Sequence, residues 1–292
     1  MKRFLAQLVL GFGMLITWVL LNDVILQPLV IKHSLRGFED VKIIILGDSH
    51  GERIWLDNSL NFARGGDPPL VQLRTLESVL PHLPRLRHVI VGLGPQNFSA
   101  LPHKRIQDNY TRFLTGNSAR LACIQHLNAP PPSMKTFAHQ IVGELKFSEG
   151  IPFVHEATAY DSSCDLSMER TQRRLNRHEV VSKNWFLESN SSTEAMSLIA
   201  DFTKKKDTLQ VWLIGTPLHA SYRARIGSTG WTCYKDFLDE LAHKDRVSYL
   251  SMEAVTLPDS LYFDADHVNG NGMTWLSDTL SRIITPSNNG VN

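Results

Sequence analysis

The sequence predicts an α/β fold: a three-layer α/β/α, doubly wound, mostly parallel five-stranded sheet. Short apolar runs rich in β-branched residues recur along the chain, among them Val41–Leu46, His88–Leu93, Leu209–Gly215 and Val247–Ser251. Amphipathic stretches of helical period separate them, the signature of a parallel sheet with helices on both faces. The first two of these runs end abruptly in turn residues, Gly47-Asp48-Ser49-His50 and Gly94-Pro95-Gln96-Asn97. Such turns project side chains beyond the carboxyl edge of a sheet, where open α/β folds hold their ligands.

Taken in order, Lys2 and Arg3 precede Phe4–Leu21, eighteen residues without a charge. As a helix this stretch is ~27 Å long, close to the ~30 Å hydrocarbon core of a bilayer. No small-x-small cleavage site follows it, so residues 1–31 are expected to be an uncleaved N-terminal transmembrane anchor. Its basic flank puts the N-terminus in the cytoplasm and the rest of the chain, periplasmic or otherwise extracytoplasmic, beyond the cytoplasmic (inner) membrane. Residues 32–40 read as a polar linker. The main domain is expected over 41–286, with strand Val41–Leu46, helix Glu52–Leu60, strand Asn61–Arg64, helix Leu70–Leu80 and strand His88–Leu93. From about 102 to 190 the pattern weakens, and a helical insertion, a candidate substrate lid, is expected, with helices at Arg105–Leu114, Met134–Glu144 and Met168–Val181. Alternation resumes with helix Thr193–Lys204, strand Leu209–Gly215, helix Trp231–His243, strand Val247–Ser251 and helix Gly270–Ile284. Residues 287–292 read as a frayed tail.

A 292-residue chain with 42% hydrophobic and 20% charged residues has enough apolar material for one large core. Its net charge of +1 and lack of a basic stripe give no footprint for nucleic acid. Cys123, Cys164 and Cys233 have no CxxC spacing, so neither a zinc site nor a disulfide framework is indicated. A single Cys123–Cys164 or Cys164–Cys233 bond and three free thiols both remain open. No cofactor or metal is called for.

The chemistry centres on Ser49. Near the chain's end, Asp264-Ala265-Asp266-His267 places a carboxylate three residues before an imidazole. In a turn that carboxylate can accept the Nδ1 proton, which fixes the tautomer and leaves Nε2 to take a serine proton. Asp264 is the expected orienter, because in an extended loop the adjacent Asp266 points elsewhere. In a doubly wound sheet Ser49, Asp264 and His267 reach the same edge. Gly65, Gly66 and Asn97 reach it too, so with the Ser49 N–H they can form an oxyanion hole. The blander readings are a helix cap for Ser49, turn geometry for Gly65 and Gly66, a turn residue for Asn97, a brace for Asp48, and surface or core positions for His155, His178, His219 and His243.

These blocks resemble those of the SGNH/GDSL hydrolases, which carry a GDS serine, a glycine, an asparagine and a DxxH pair in that order. Gly47-Asp48-Ser49, Gly65/Gly66, Asn97 and Asp264-x-x-His267 match from residue 41 to about 284, outside the 102–190 stretch. Gly94-Pro95-Gln96-Asn97 stands where that family has GxND. With Ala63-Arg64-Gly65-Gly66 and the anchor, the chain looks like the membrane-anchored envelope-acylation branch, such as the DltD-like proteins of teichoic acid D-alanylation and the alginate O-acetylation proteins. The resemblance implies an SGNH/flavodoxin-like sheet, Ser49, Asp264 and His267 as catalytic residues, and an esterase or O-acyltransferase. It also implies an acylated envelope glycan or glycopolymer as substrate and a multi-spanning O-acyltransferase as neighbour. Two alternatives stand beside it. One is a non-catalytic accessory subunit of such a system; the other is a dimetal phosphoesterase, with Asp48 and His50 of Asp48-Ser49-His50-Gly51 as ligands.

Overall fold

A computed structural model describes residues 27–102, 164–188 and 191–284, together with isolated positions between 4 and 17. Five strands form one parallel sheet: β1 (Ile43–Gly47), β2 (Ser59–Asn61), β3 (His88–Leu93), β4 (Gln210–Gly215) and β5 (Val247–Ser251), in the order β2-β1-β3-β4-β5. The chain leaves β1 toward β2 and returns on the other side as β3. The crevice between β1 and β3 is therefore the topological switch point.

Both faces of the sheet are covered, which is why its strands read as continuous apolar runs. Ile44 and Leu46 of β1, Val89 and Val91 of β3 and Leu213 of β4 point to one face. There they meet α2 (Pro69–Val79), α4 (Ser191–Lys205) and α6 (Ser228–Ala242) through Leu73, Leu76, Met196, Ile199 and Leu238. Ile43, Ile45, Ile90 and Ile214 point to the other face and pack on Met273, Leu276 and Leu280 of α7 (Gly270–Ile284). Two further helices, α3 (Met168–His178) and α5 (Ala220–Arg223), and an antiparallel hairpin of β6 (Tyr262–Asp264) and β7 (His267–Val268) lie at the carboxyl end.

Several expectations are corrected. No helix spans Glu52–Leu60: after β1 the backbone makes successive turns, with Gly51 N–H and Glu52 N–H both donating to Asp48 O. Gly51 begins this irregular path, Asn58 adopts φ 56°, and Ile54 and Leu56 are buried under α7. Their apolar spacing comes from that packing, not from a helix. β2 is Ser59–Asn61 rather than Asn61–Arg64. Gln27–Ser34, read as the end of the anchor and the start of the linker, is helix α1, whose Ile31 joins the core together with Leu35 just beyond it. Among the described residues no helix is long and apolar enough to cross a membrane. The span expected over Phe4–Leu21 is not among the described elements, and half of that segment lies outside the described residues. The helices expected at Arg105–Leu114 and Met134–Glu144, and the 287–292 tail, also lie outside them. Cys164 and Cys233 are not bonded to each other.

Glycine is required where β1 meets β3. Gly47 (φ 136°) pairs with Gly92, and a Cβ on Gly92 would come within 2.7 Å of Gly51 Cα. Removing two side chains at the switch point lets the turn after β1 lie flat across the end of β3. That turn carries Ser49.

Candidate active site

Ser49 Oγ lies 2.8 Å from His267 Nε2, and His267 Nδ1 lies 2.9 Å from Asp264 Oδ1. Three segments produce this relay: the turn after β1, the last residue of β6 and the first of β7. Asp264 Oδ1 also accepts the backbone N–H groups of Asp266 and His267, at 3.2 and 3.0 Å. This Asx turn folds the carboxylate back over its own chain and fixes the ring three residues on.

Asp266 does not point away, as it would in an extended loop. The tight β6–β7 reversal brings its Oδ2 within 3.3 Å of the same Nδ1. Both carboxylates are fully buried, and their counter-charges come from α3. Arg174 Nη2 is 2.7 Å from Asp264 Oδ2, Arg174 Nε is 3.4 Å from Asp266 Oδ1, and Arg170 Nη2 is 3.4 Å from Asp264 Oδ2. Arg170 also stacks on the Phe263 ring at 4.8 Å. His178, at the end of the same helix, has Nε2 3.7 Å from Asp266 Oδ2 and Nδ1 2.6 Å from Tyr222 Oη. Sequence spacing alone assigns these three no role in the relay, and His178 reads there as a surface or core residue; it is buried. A usable signal was present: Arg170, Arg174 and His178 fall at i, i+4 and i+8, one basic row along a helix.

Electrostatics sets the state of the base. Burial lowers the pKa of His267, but Asp266 and Asp264 beside Nδ1 outweigh it and raise the pKa to about 10. Burial would raise Asp266, yet His267, His178 and Arg174 hold it well below the usual carboxylate range. His178 is pushed down to about 4, chiefly by burial and against the pull of Asp266. Burial also keeps the Tyr222 phenol protonated, so its O–H donates to His178 Nδ1. The protonated ring donates to Asp264 and to Ser49, and the neutral ring that can act as a base is favoured as the pH rises. Any turnover that depends on the neutral ring should show an acid limb on the alkaline side of an ordinary histidine. Asp266→Asn removes the main charge holding that proton, so the limb in kcat/KM should move down by about one pH unit or more. An unmoved limb would show that Asp266 does not set the base.

A second histidine lies beneath the first. The His50 ring stacks on His267 with centroids 4.8 Å apart. Its Nδ1 faces Asp48 Oδ1 at 2.9 Å and its Nε2 faces the Asp266 carbonyl at 2.9 Å. Burial alone would raise the Asp48 carboxyl, but His50 and hydrogen bonds from His50 and Gln96 hold it well below its ordinary value. Gln96 Nε2 donates to Asp48 Oδ2 at 2.7 Å. Asp48 and His50 thus brace the floor of the site.

The expected oxyanion donors have mixed placements. Gly65 is beside Ser49: a Cβ built on it would lie 4.0 Å from Ser49 Cβ. Its N–H, however, donates to the Glu52 carboxylate. Gly66 has φ 90°, a turn conformation that glycine adopts without strain. Asn97 Nδ2 donates to Asp48 Oδ2 at 3.1 Å, and its Oδ1 accepts Gly94 N–H at 2.8 Å. These are the bonds of a turn residue, and they do not direct the amide at Ser49.

His50, Asp266 and His267 have ligand-type atoms within 4.8 Å of one another. Each ring nitrogen of the two histidines already faces a partner: Asp48, the Asp266 carbonyl, Asp264 or Ser49. A metal would have to break that network, so the donor set fits a hydrogen-bonded relay better than an ion.

No family model and no curated protein matches the chain. A solved structure from Streptococcus pneumonia, described there as a proposed platelet activating factor, is similar at 12% identity over 94% of this chain and 99% of that one, with a TM-score of 0.43. A likeness of that size says nothing about the chemistry of this site.

Proposed function

We propose that this chain is a membrane-anchored SGNH-type serine esterase or O-acyltransferase acting on acyl esters of an extracytoplasmic envelope polysaccharide or glycopolymer. One observation supports it above the rest: a serine hydroxyl, an imidazole and a buried carboxylate in sequential hydrogen-bond contact at 2.8 and 2.9 Å on the ligand edge of a parallel sheet. In this reading Ser49 Oγ attacks the acyl carbonyl and His267 Nε2 takes its proton. The C–O bond of the ester breaks, and the departing alcohol leaves with that proton. The acyl-serine then passes to water or to a sugar hydroxyl, whose proton returns through His267. Asp264 holds the ring through Nδ1.

Anchoring is part of the proposal. The apolar run Phe4–Leu21 supports it, as do the exposed side chains of Phe4, Leu5, Val9, Leu10 and Met14, which a bilayer would cover. In this reading the folded domain works outside the cytoplasm, beside a multi-spanning O-acyltransferase.

The accessory-subunit reading draws on a different observation: the expected oxyanion donors Gly65 and Asn97 are both bonded to carboxylates. Labelling the full chain with a fluorophosphonate, with and without EDTA, separates the two. The enzyme reading expects EDTA-indifferent labelling that Ser49→Ala abolishes. Glycan binding without any labelling would favour the accessory subunit, and chelator-sensitive phosphodiester cleavage would revive the metal site.

A further inference from the structure

Glu52 is the group that holds the Gly65 N–H. It lies three residues after Ser49 and is half-buried. The successive turns after β1, with Glu52 N–H donating to Asp48 O at 3.1 Å, bring its side chain back toward Gly65. A Cβ on Gly65 would lie 3.2 Å from Glu52 Oε2 and 4.0 Å from Ser49 Cβ. The carboxylate and the nucleophile therefore flank the same small volume, the one an acyl oxygen must enter to reach the Gly65 N–H.

We propose that Glu52 is a resident competitor for the oxyanion donor, so that the oxygen of an incoming acyl group must displace its carboxylate from Gly65 N–H. This rests on the serine-enzyme reading above and assigns a residue which that reading leaves unused. Two negative oxygens cannot share one N–H. A charge-assisted hydrogen bond is roughly twice as strong as a neutral one, so the resident carboxylate is a strong rival. Its neighbours set how strong: burial and Asp48 disfavour the charge, whereas Arg53, Arg64 and the Gly65 bond favour it, and the pKa is raised on balance. The outcome is a site that resists adventitious acylation and responds to any binding event that draws Glu52 away. Arg53 and Arg64 are the cations toward which it can move. Glu52 also repels anionic substituents next to the scissile carbonyl, so neutral acyl groups are the favoured class.

The test uses the full chain and a fluorophosphonate probe. Glu52→Gln keeps a neutral acceptor for Gly65 N–H, so the turn stays pinned while the charge is gone. Glu52→Asp withdraws the carboxylate by one methylene. Both variants are expected to be labelled at Ser49 about tenfold faster than the parent chain. With a neutral ester, the gain should appear in kcat rather than as a matching change in KM, because the donor is used fully only in the transition state. Equal or slower labelling of both variants, with Ser49 still reactive in the parent, would overturn the competitor role and leave the serine-enzyme reading intact. Labelling seen only in the variants would support it most strongly. No labelling in any chain would remove both.

Discussion

His267→Ala is expected to reduce turnover by about a million-fold, to the level left by Ser49→Ala. When a nucleophile and its base act as one unit, losing either costs about as much as losing both. The substitution also acts on folding, because Asp264 and Asp266 are fully buried and lose the cation between them. Removing one partner of a buried pair costs about 3–5 kcal/mol, and Arg174 remains to offset part of it. The two effects separate by pH. Folding raises the His267 pKa from 6.5 to about 10. Its contribution to stability is thus complete below about 6.5 and is lost as the pH climbs through about 10. The Tm gap between the parent and His267→Ala should be widest in mildly acidic buffer and should close toward pH 10, while the activity loss persists at every pH. A gap that widens with pH would mean that the ring is neutral at rest.

Gly215→Ala should be the most damaging substitution remote from the relay. Gly215 ends β4, and a Cβ there would overlap the Glu253 carboxylate. That side chain is 0% exposed and has nowhere to go. Tyr234 Oη donates to Oε1 at 3.0 Å, Tyr249 Oη donates to the same oxygen, Ser251 Oγ donates to Oε2 at 3.0 Å, and Lys235 Nζ is 3.5 Å from Oε2. Forcing the carboxylate off these partners leaves a buried charge poorly paired, at a cost of about 3–5 kcal/mol. In a chain of this size that corresponds to a Tm lower by about 5–8 °C. Thermal unfolding of Gly215→Ala measures it directly, and an unchanged Tm would mean that the glutamate can turn aside. Tyr234 and Tyr249 are held far above their ordinary pKa, first by burial and then by Glu253, so they remain donors throughout the accessible pH range.

The sheet was legible because its strands are buried on both faces. Ile43–Gly47 and His88–Leu93 therefore appear as unbroken apolar runs whose ends are marked by glycine. β2 was misplaced because a three-residue edge strand leaves almost no pattern. The Glu52–Leu60 stretch misled for a related reason: Ile54 and Leu56 face a helix more than two hundred residues away, and burial, not periodicity, set their spacing. Ser49 could be picked out because it follows a strand, and Asp264 and His267 because the Asp-x-x-His bond is local. Arg174 and Arg170 act on a carboxylate 90 and 94 positions away, so no local rule joins them to it. Glu52 was hidden differently: its role depends on a backbone N–H, and a peptide group leaves no letter in a sequence.

The relay joins a hydroxyl to an imidazole 218 positions further along the chain. A ribosome delivers Ser49 well before His267. Until the final hairpin has been made and has folded against the sheet, the nascent polypeptide holds an ordinary alcohol with no partner to take its proton. On the serine-enzyme reading, reactivity switches on only once that hairpin is in place, and fragments truncated before it are expected to be inert.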